Sequence, residues 1–342
     1  MTTLPAAFPG PDAPVEAVPR KISRKARGAD AVFVHGSRAI GATVLVITGG
    51  VGLFLGWQAW PTLRHYGLSF FTETAWQPEA DVLGIAAVLT GTVMVALVAM
   101  TIAFPLALMT ALYISEYAPA FIRSTLVSMV DLMAAVPSII WGLWGYFLIM
   151  PRAAELAVWM DRNFGWIPFF DVKNADPDSA LIEASISSYS FSMFCAGIAV
   201  AMMVLPMSCA VMRQVFSQTP PGEKEAALAL GATKWGMIRS VVLPFGRGGI
   251  IGGTMLGLGR ALGETIAVLL ILSPSFEAKW RVLEIGGNTV SALIAGRFGD
   301  ASKSQLSALL AAGFVLFVIT LIVNTIAAMI VNRSRSGVGT DA

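Results

Sequence analysis

The sequence predicts an all-α, polytopic membrane protein with six transmembrane helices, on three observations. Hydrophobic residues make up 56% of the 342-residue chain and charged residues only 13%, against roughly 25% charged in soluble domains, and the mean hydropathy is +0.73. Five stretches, 39–60, 82–115, 132–151, 184–212 and 304–332, contain no Asp, Glu, Lys or Arg. Each is long enough to cross about 30 Å of hydrocarbon as a helix, which takes around 20 residues. A sixth, 248–272, is equally apolar except for Arg260 and Glu264. Barrel strands do not fit, because they alternate in polarity and run about ten residues. A soluble enzyme is excluded by the shortage of charge, and the net charge of +2 gives no sign of a nucleic-acid partner.

Residues 1–38 form a separate region, rich in Pro and Ala and then basic in "RKISRKAR". With no apolar run at its start it is not a cleavable signal peptide. It reads as a disordered cytoplasmic tail near anionic lipid, with the first span, 39–60, as an uncleaved anchor. The domain proper is expected over 82–332, with spans at about 82–115, 126–151, 184–212, 248–272 and 304–332. Between them lie an extracytoplasmic loop at 152–183 and a cytoplasmic loop at 213–247. Lys and Arg place both termini in the cytoplasm: 14 fall in the two tails and the second and fourth loops, against eight in the others. The fifth loop, with Lys279, Arg281, Arg297 and Lys303, runs against that bias.

Pro105, Pro137 and Pro206 fall inside the second, third and fourth spans. Each frees a backbone carbonyl that neighbours or water must satisfy; such bends suit a bundle that opens and closes, and they also occur in static helices. In the third loop, Trp159, Phe164, Trp166, Phe169 and Phe170 fit a membrane-interface belt, with an interfacial helix expected around 153–161; a partner-docking surface is the alternative. Cys195 and Cys209, 14 residues apart in one apolar run, lie roughly 21 Å apart on a helix and cannot bridge. His35 and His65 offer no metal-ligand spacing.

The fourth loop carries the most specific pattern, "EKEAALALGATKWGMIRSVVLPFGRGG", residues 223–249. It reads as two short helices about a Gly231 hinge, the second, 234–243, stopping at Pro244. An Ala-rich cytoplasmic hairpin of this kind has no partner within the bilayer and is expected to dock elsewhere. "EAALALGATKWGMIRSVVLP" resembles the EAA signature of ABC importer membrane subunits: Glu-Ala-Ala, three residues, Gly, nine residues, then Ile-x-Leu-Pro. Glu225, Ala226, Ala227, Gly231, Leu243 and Pro244 match, and Val241 replaces the usual Ile. "VPSIIWGLWG" and "GLGRALGET" resemble the phosphate-specific permease family of PstC type over residues 80 to 332; sulfate and molybdate permeases look similar around Arg260.

That resemblance implies a type I ABC importer permease (MetI-like) fold and half of a heterodimeric pore in a bacterial plasma membrane. Its implied partners are a related permease subunit of PstA type, two ATPase subunits of PstB type gripping the 223–249 hairpin, and an extracytoplasmic phosphate-binding protein of PstS type. The chain itself has no G-x-x-x-x-G-K-[ST] loop, and "GGVGLFLG" at 49–56 lacks the Lys. No cofactor is expected in this chain; ATP and Mg are expected in the partner ATPase.

Arg260 and Glu264 are the expected substrate pathway. Charge at the bilayer centre costs at least a few kcal/mol, so both must face the bundle or a wet cavity, on one helix face at i and i+4. The guanidinium fork suits a tetrahedral oxyanion; Glu264 is expected to orient it and to accept a proton-bearing phosphate oxygen. The alternative is an internal ion pair that only locks helices. Thr90, Thr92, Ser138, Thr254 and Thr265 are weaker lining candidates, and Gly252, Gly253, Gly257, Gly259 and Gly263 are expected to let helices approach. An ion-coupled carrier or channel is the functional alternative.

Overall fold

The computed structural model describes residues 28–172 and 182–335. Residues 1–27, with the "RKISRKAR" segment, and 173–181 of the third loop lie outside the described residues. The chain divides into two units, at Val51 and Gly52. The first holds the beginning of α1 (Ala29–Tyr66), where Val32, Ile40, Leu45 and Val46 are exposed, as on a helix bathed in apolar surroundings. The helix starts ten residues before the expected boundary of 39, so 29–38 are helical. Asp30 in its first turn favours that earlier start.

Within the second unit, the end of α1 meets the last helix, α14 (Lys303–Arg335), through polar contacts suited to a membrane. Thr62 Oγ1 lies 2.8 Å from Ser307 Oγ, and Ser307 Oγ donates to the Gln58 carbonyl at 2.8 Å. The chain then makes α2 (Ser69–Thr72) and a two-stranded hairpin, β1 (Trp76–Gln77) and β2 (Val82–Leu83), paired Trp76 to Leu83. Asp81 turns it with φ 53°; hydrogen bonds from the Tyr66 hydroxyl and from His65 hold its carboxyl below the usual carboxylate range. The second span thus begins at Ala86, not 82, because 82–85 complete the hairpin.

The core of the bundle is α3 (Ala86–Leu112) against α8 (Met193–Ser217). Ala99, Ala103, Ala107 and Ala111 are fully buried at four-residue spacing along α3, a small-residue ridge that brings the backbones close. Cys195 and Cys209 are free and buried on α8. α11 (Leu243–Leu262) packs on the same helix through Gly253 and Gly257, and Ser208 Oγ donates to the Gly253 carbonyl at 2.9 Å. Of the five glycines expected to permit close approach, these two do so; Gly252 has open space beside it.

The spans are less regular than the apolar windows. α3 and α8 run through Pro105 and Pro206 unbroken, but the third span does not survive as one helix. It consists of α4 (Ala120–Ala135) and α5 (Ser138–Trp144), leading through a π turn at Gly145–Ile149 into α6 (Met150–Phe164). The two arms meet at 93°, because Pro137 forces Val136 into an extended conformation (ψ 128°). The interfacial helix expected at 153–161 is the second half of that bent segment. At its bend end it runs on from α5, and Trp159 and Trp166 are exposed on or after it. The fourth span starts at Met193, since 182–189 form a separate helix, α7 (Ile182–Tyr189). Among the described residues, five helices are long and apolar enough to cross a membrane, or six with the bent pair. Two of the four contrary basic residues of the fifth loop are compensated by carboxylates, Lys279 Nζ lying 2.8 Å from Glu284 and Arg281 2.8 Å from Asp171, and Arg297 sits in the last turn of α13 (Val290–Arg297).

Candidate functional site

The fourth loop folds as the sequence indicates, with one difference. α9 (Pro221–Ala229) leads to Gly231, whose φ of +88° lies in the left-handed region and leaves open space where a side chain would start. Thr233 then caps α10 (Lys234–Met237), accepting from the Gly236 N–H at 3.1 Å. The second arm does not stop at Pro244. A π turn at Ile238–Val242 joins α10 to α11, and Pro244 lies just after it, where such a local adjustment re-satisfies the backbone groups that a proline frees. Lys234–Leu262 is therefore one 29-residue helix. Glu225 and Ala226 are exposed, Ala227 is half-buried against the cluster of Phe216, Met237 and Ile238, and Leu243 and Pro244 lie on the continuous helix. Leu230 and Trp235 project outward at 90% and 56% exposure; these apolar side chains, overlooked in the sequence, lie on the same hairpin.

Arg260 and Glu264 sit at a break that the sequence reading treated as continuous helix. α11 ends at Leu262, Gly263 leaves the helix, and α12 (Ile266–Ile271) begins after Thr265. Arg260 is thus in the last turn of α11, not midway along a span, where the terminal carbonyls favour a cation. Glu264 precedes α12, and its Oε1 accepts from the Ala267 N–H at 3.3 Å, where free amide donors favour an anion. Helix ends, not each other, stabilise the two charges. Among the described residues no ion pair joins them, so the expected locking or orienting contact is absent from this conformation; the helical turn that would align i with i+4 is not there.

Both charges nevertheless open on one cavity of about 650 Å³, within the size range of small-ligand sites. Met207 of α8, Leu256 and Gly259 of α11, and Leu316, Phe317, Thr320 and Asn324 of α14 complete most of its wall. Arg260 Nη2 donates to Met203 Sδ at 3.3 Å, a weak acceptor, and its Nε is buried without a partner. A buried donor left unmatched costs about 1–3 kcal/mol; what an acceptor in the cavity can reach is the partly exposed remainder of the side chain, which lines it. Glu264 is 6% exposed. The threonines singled out in the sequence do other things: Thr90, Thr92 and Thr254 donate to carbonyls one turn back, and Thr265 to Gly263. The polar wall comes instead from Thr320 and Asn324, one turn apart on α14. Asn324, an uncharged amide deep in the run 304–332, was the signal available in the sequence.

Comparisons with known proteins agree with this architecture. The family described as binding-protein-dependent transport system inner membrane component matches residues 103–336. The phosphate transport system permease protein PstC 2 of Mycobacterium tuberculosis is 38% identical over 319 residues, covering 92% of this chain and 95% of that one. PstC of Xylella fastidiosa is 37% identical over 293 residues, covering 85% and 87%. Among solved structures, a bacterial ABC transporter involved in the import of the acidic polysaccharide alginate matches with a TM-score of 0.52 at 16% identity, over 88% of this chain and 96% of that one. The alginate transporter in complex with its pentasaccharide-bound periplasmic protein gives 0.56 at 15%, over 91% and 96%; both speak for the fold alone. By its matched residues and its identity to these relatives, the chain belongs to the family of binding-protein-dependent transport system inner membrane components, among the phosphate permeases of PstC type.

Proposed function

We propose that this chain is the permease subunit of an ATP-driven importer for inorganic phosphate, forming half of a translocation pore. The observation that carries the reading is Arg260, a partly exposed guanidinium on the wall of an open cavity lined by α8, α11 and α14 of an apolar bundle. Arg stays charged and offers a planar fork to two oxygens of a tetrahedral anion. Glu264 on the same wall accepts a hydrogen bond from a protonated phosphate oxygen, a proton that sulfate does not carry at neutral pH.

In this reading the second half of the pore is a related permease subunit, and ATP and Mg bind to separate ATPase subunits. Those subunits grip the hairpin of α9 and α10 through Glu225, Ala226, Ala227 and the exposed Leu230 and Trp235, with Gly231 setting the turn. An extracytoplasmic phosphate-binding protein delivers the anion, and both termini face the cytoplasm. Supporting this are the names of the relatives and the apolar exposure of a hairpin that lies outside the bundle.

The test is uptake of labelled phosphate by the assembled transporter in proteoliposomes, competed with sulfate and with molybdate. Competition by unlabelled phosphate alone is expected. Equal competition by sulfate or molybdate reassigns the substrate, and uptake independent of ATP points to an ion-coupled carrier. Arg260→Gln is expected to abolish uptake while the complex still assembles; normal uptake by that variant ends the proposed role of Arg260.

A further inference from the structure

The hairpin of α9 and α10 is fastened to the bundle at a place that neither its covalent connection nor its apolar packing requires. α3 closes in a π turn at Tyr113–Tyr117. Glu116, in that turn, has a side chain only 6% exposed, and its Oε1 lies 2.7 Å from Lys224 Nζ of α9. The next residue, Tyr117, presents its ring 4.7 Å from Lys234 Nζ of α10. Each arm of the hairpin therefore sends one lysine to the same end of α3, with Ile114 below them packed in the cluster of Phe216, Met237 and Ile238.

We infer that Glu116 and Lys224 are positioning residues that make α3 move with the hairpin. A buried ion pair adds little net stability, because desolvation offsets most of its Coulomb attraction, and its best-attested use is to fix register. The apolar contacts at Ala227 and Ile238 have no direction and allow sliding; the Lys224–Glu116 hydrogen bond at 2.7 Å does not. The chain itself attaches the hairpin rigidly to α11 only, through the continuous helix 234–262. The pair adds a second attachment, to the helix that forms the main core interface with α8. With both, α11 and α3 turn as one body; with one, α11 moves and α3 lags. This rests on the reading of the hairpin as the ATPase dock.

The test measures phosphate moved per ATP hydrolysed by the assembled transporter in proteoliposomes, together with association of the ATPase in detergent. Glu116→Gln and Lys224→Gln are expected to lower phosphate per ATP by about tenfold, within the ordinary range of coupling between sites, with ATPase association retained. Lys224→Arg and the exchanged pair Glu116→Lys with Lys224→Glu are expected to restore most of the ratio, which a loss of general stability would not allow. The exchanged pair decides the matter if a single variant fails to assemble. An unchanged ratio in the single variants, or an exchanged pair that couples no better than they do, overturns the inference. If the unaltered chain binds no ATPase, the reading of the hairpin fails first, and the two failures are told apart.

Discussion

Two regions of this chain keep charge away from bulk water, and they do it in opposite ways. At the hairpin, Glu116 is matched to a single lysine at 2.7 Å. In the cavity, Arg260 and Glu264 are separated by a helix break and face helix termini rather than each other, and one guanidinium N–H has no partner. The paired site fixes a geometry and has nothing left to offer a ligand. The unpaired site keeps donor capacity in hand, at an energetic cost that the ends of α11 and α12 reduce. In the proposed reading, charge that is to meet a ligand is held by backbone dipoles, and charge that is to hold position is held by another side chain.

Substitutions can break or sharpen that contrast. The largest effect is expected from Arg260→Lys, which keeps the charge and loses the fork: uptake should fall by about 30-fold or more, from the roughly 2 kcal/mol or more lost when a desolvated charged contact is truncated. ATPase association should not change. Transport at the normal rate reduces Arg260 to a simple point charge. Next, Glu264→Gln keeps an acceptor for the Ala267 N–H but removes the negative charge. It should slow uptake by about tenfold and lower thermal stability modestly, because a helix-end charge as little exposed as that of Glu264 contributes up to about 2 kcal/mol; a rise in uptake would mean that the carboxylate only repels the anion. At the hairpin, Gly231→Ala forces a side chain into φ +88°, a strain of about 1 kcal/mol, and ATPase affinity should drop about fivefold in a titration. The smallest effect is expected from Asn324→Leu, which removes one neutral hydrogen-bonding group worth about 1 kcal/mol: the half-saturating phosphate concentration should rise a few-fold with coupling intact.

The sequence made the membrane class, the helical hairpin and the two cavity charges legible, and it hid the breaks. Charge-free windows report where lipid is tolerated, not where a backbone turns, so 132–151 and 248–272 read as single spans, the first with no more than a bend at Pro137. The local signals were present: Val-Pro-Ser at 136–138 disfavours helix before the proline, and Gly-Glu-Thr at 263–265 has the look of a helix stop followed by a start. Yet Pro105 and Pro206 sit within unbroken helices, so a proline alone did not decide. The difference lies in packing: Ala103, Ala107 and Pro206 are buried in the α3–α8 interface, which holds the helices through the missing hydrogen bonds. Placing Asn324 on the cavity wall required knowing that α14 passes beside Gly259, a contact that spans 65 positions of the chain and leaves no local trace.

The passage of the helix through Pro244 has a mechanical consequence. From Lys234 to Leu262 there are 29 residues in one helix, interrupted by nothing more than the π turn at Ile238–Val242 near its foot, a shaft of about 43 Å at the usual rise per residue. Tilting its foot by about 10° carries its tip through roughly 7 Å, and Arg260 rides close to that tip. A modest push at the hairpin is thereby magnified into a displacement comparable to the width of an anion with its bound water, without any residue along the way having to change conformation.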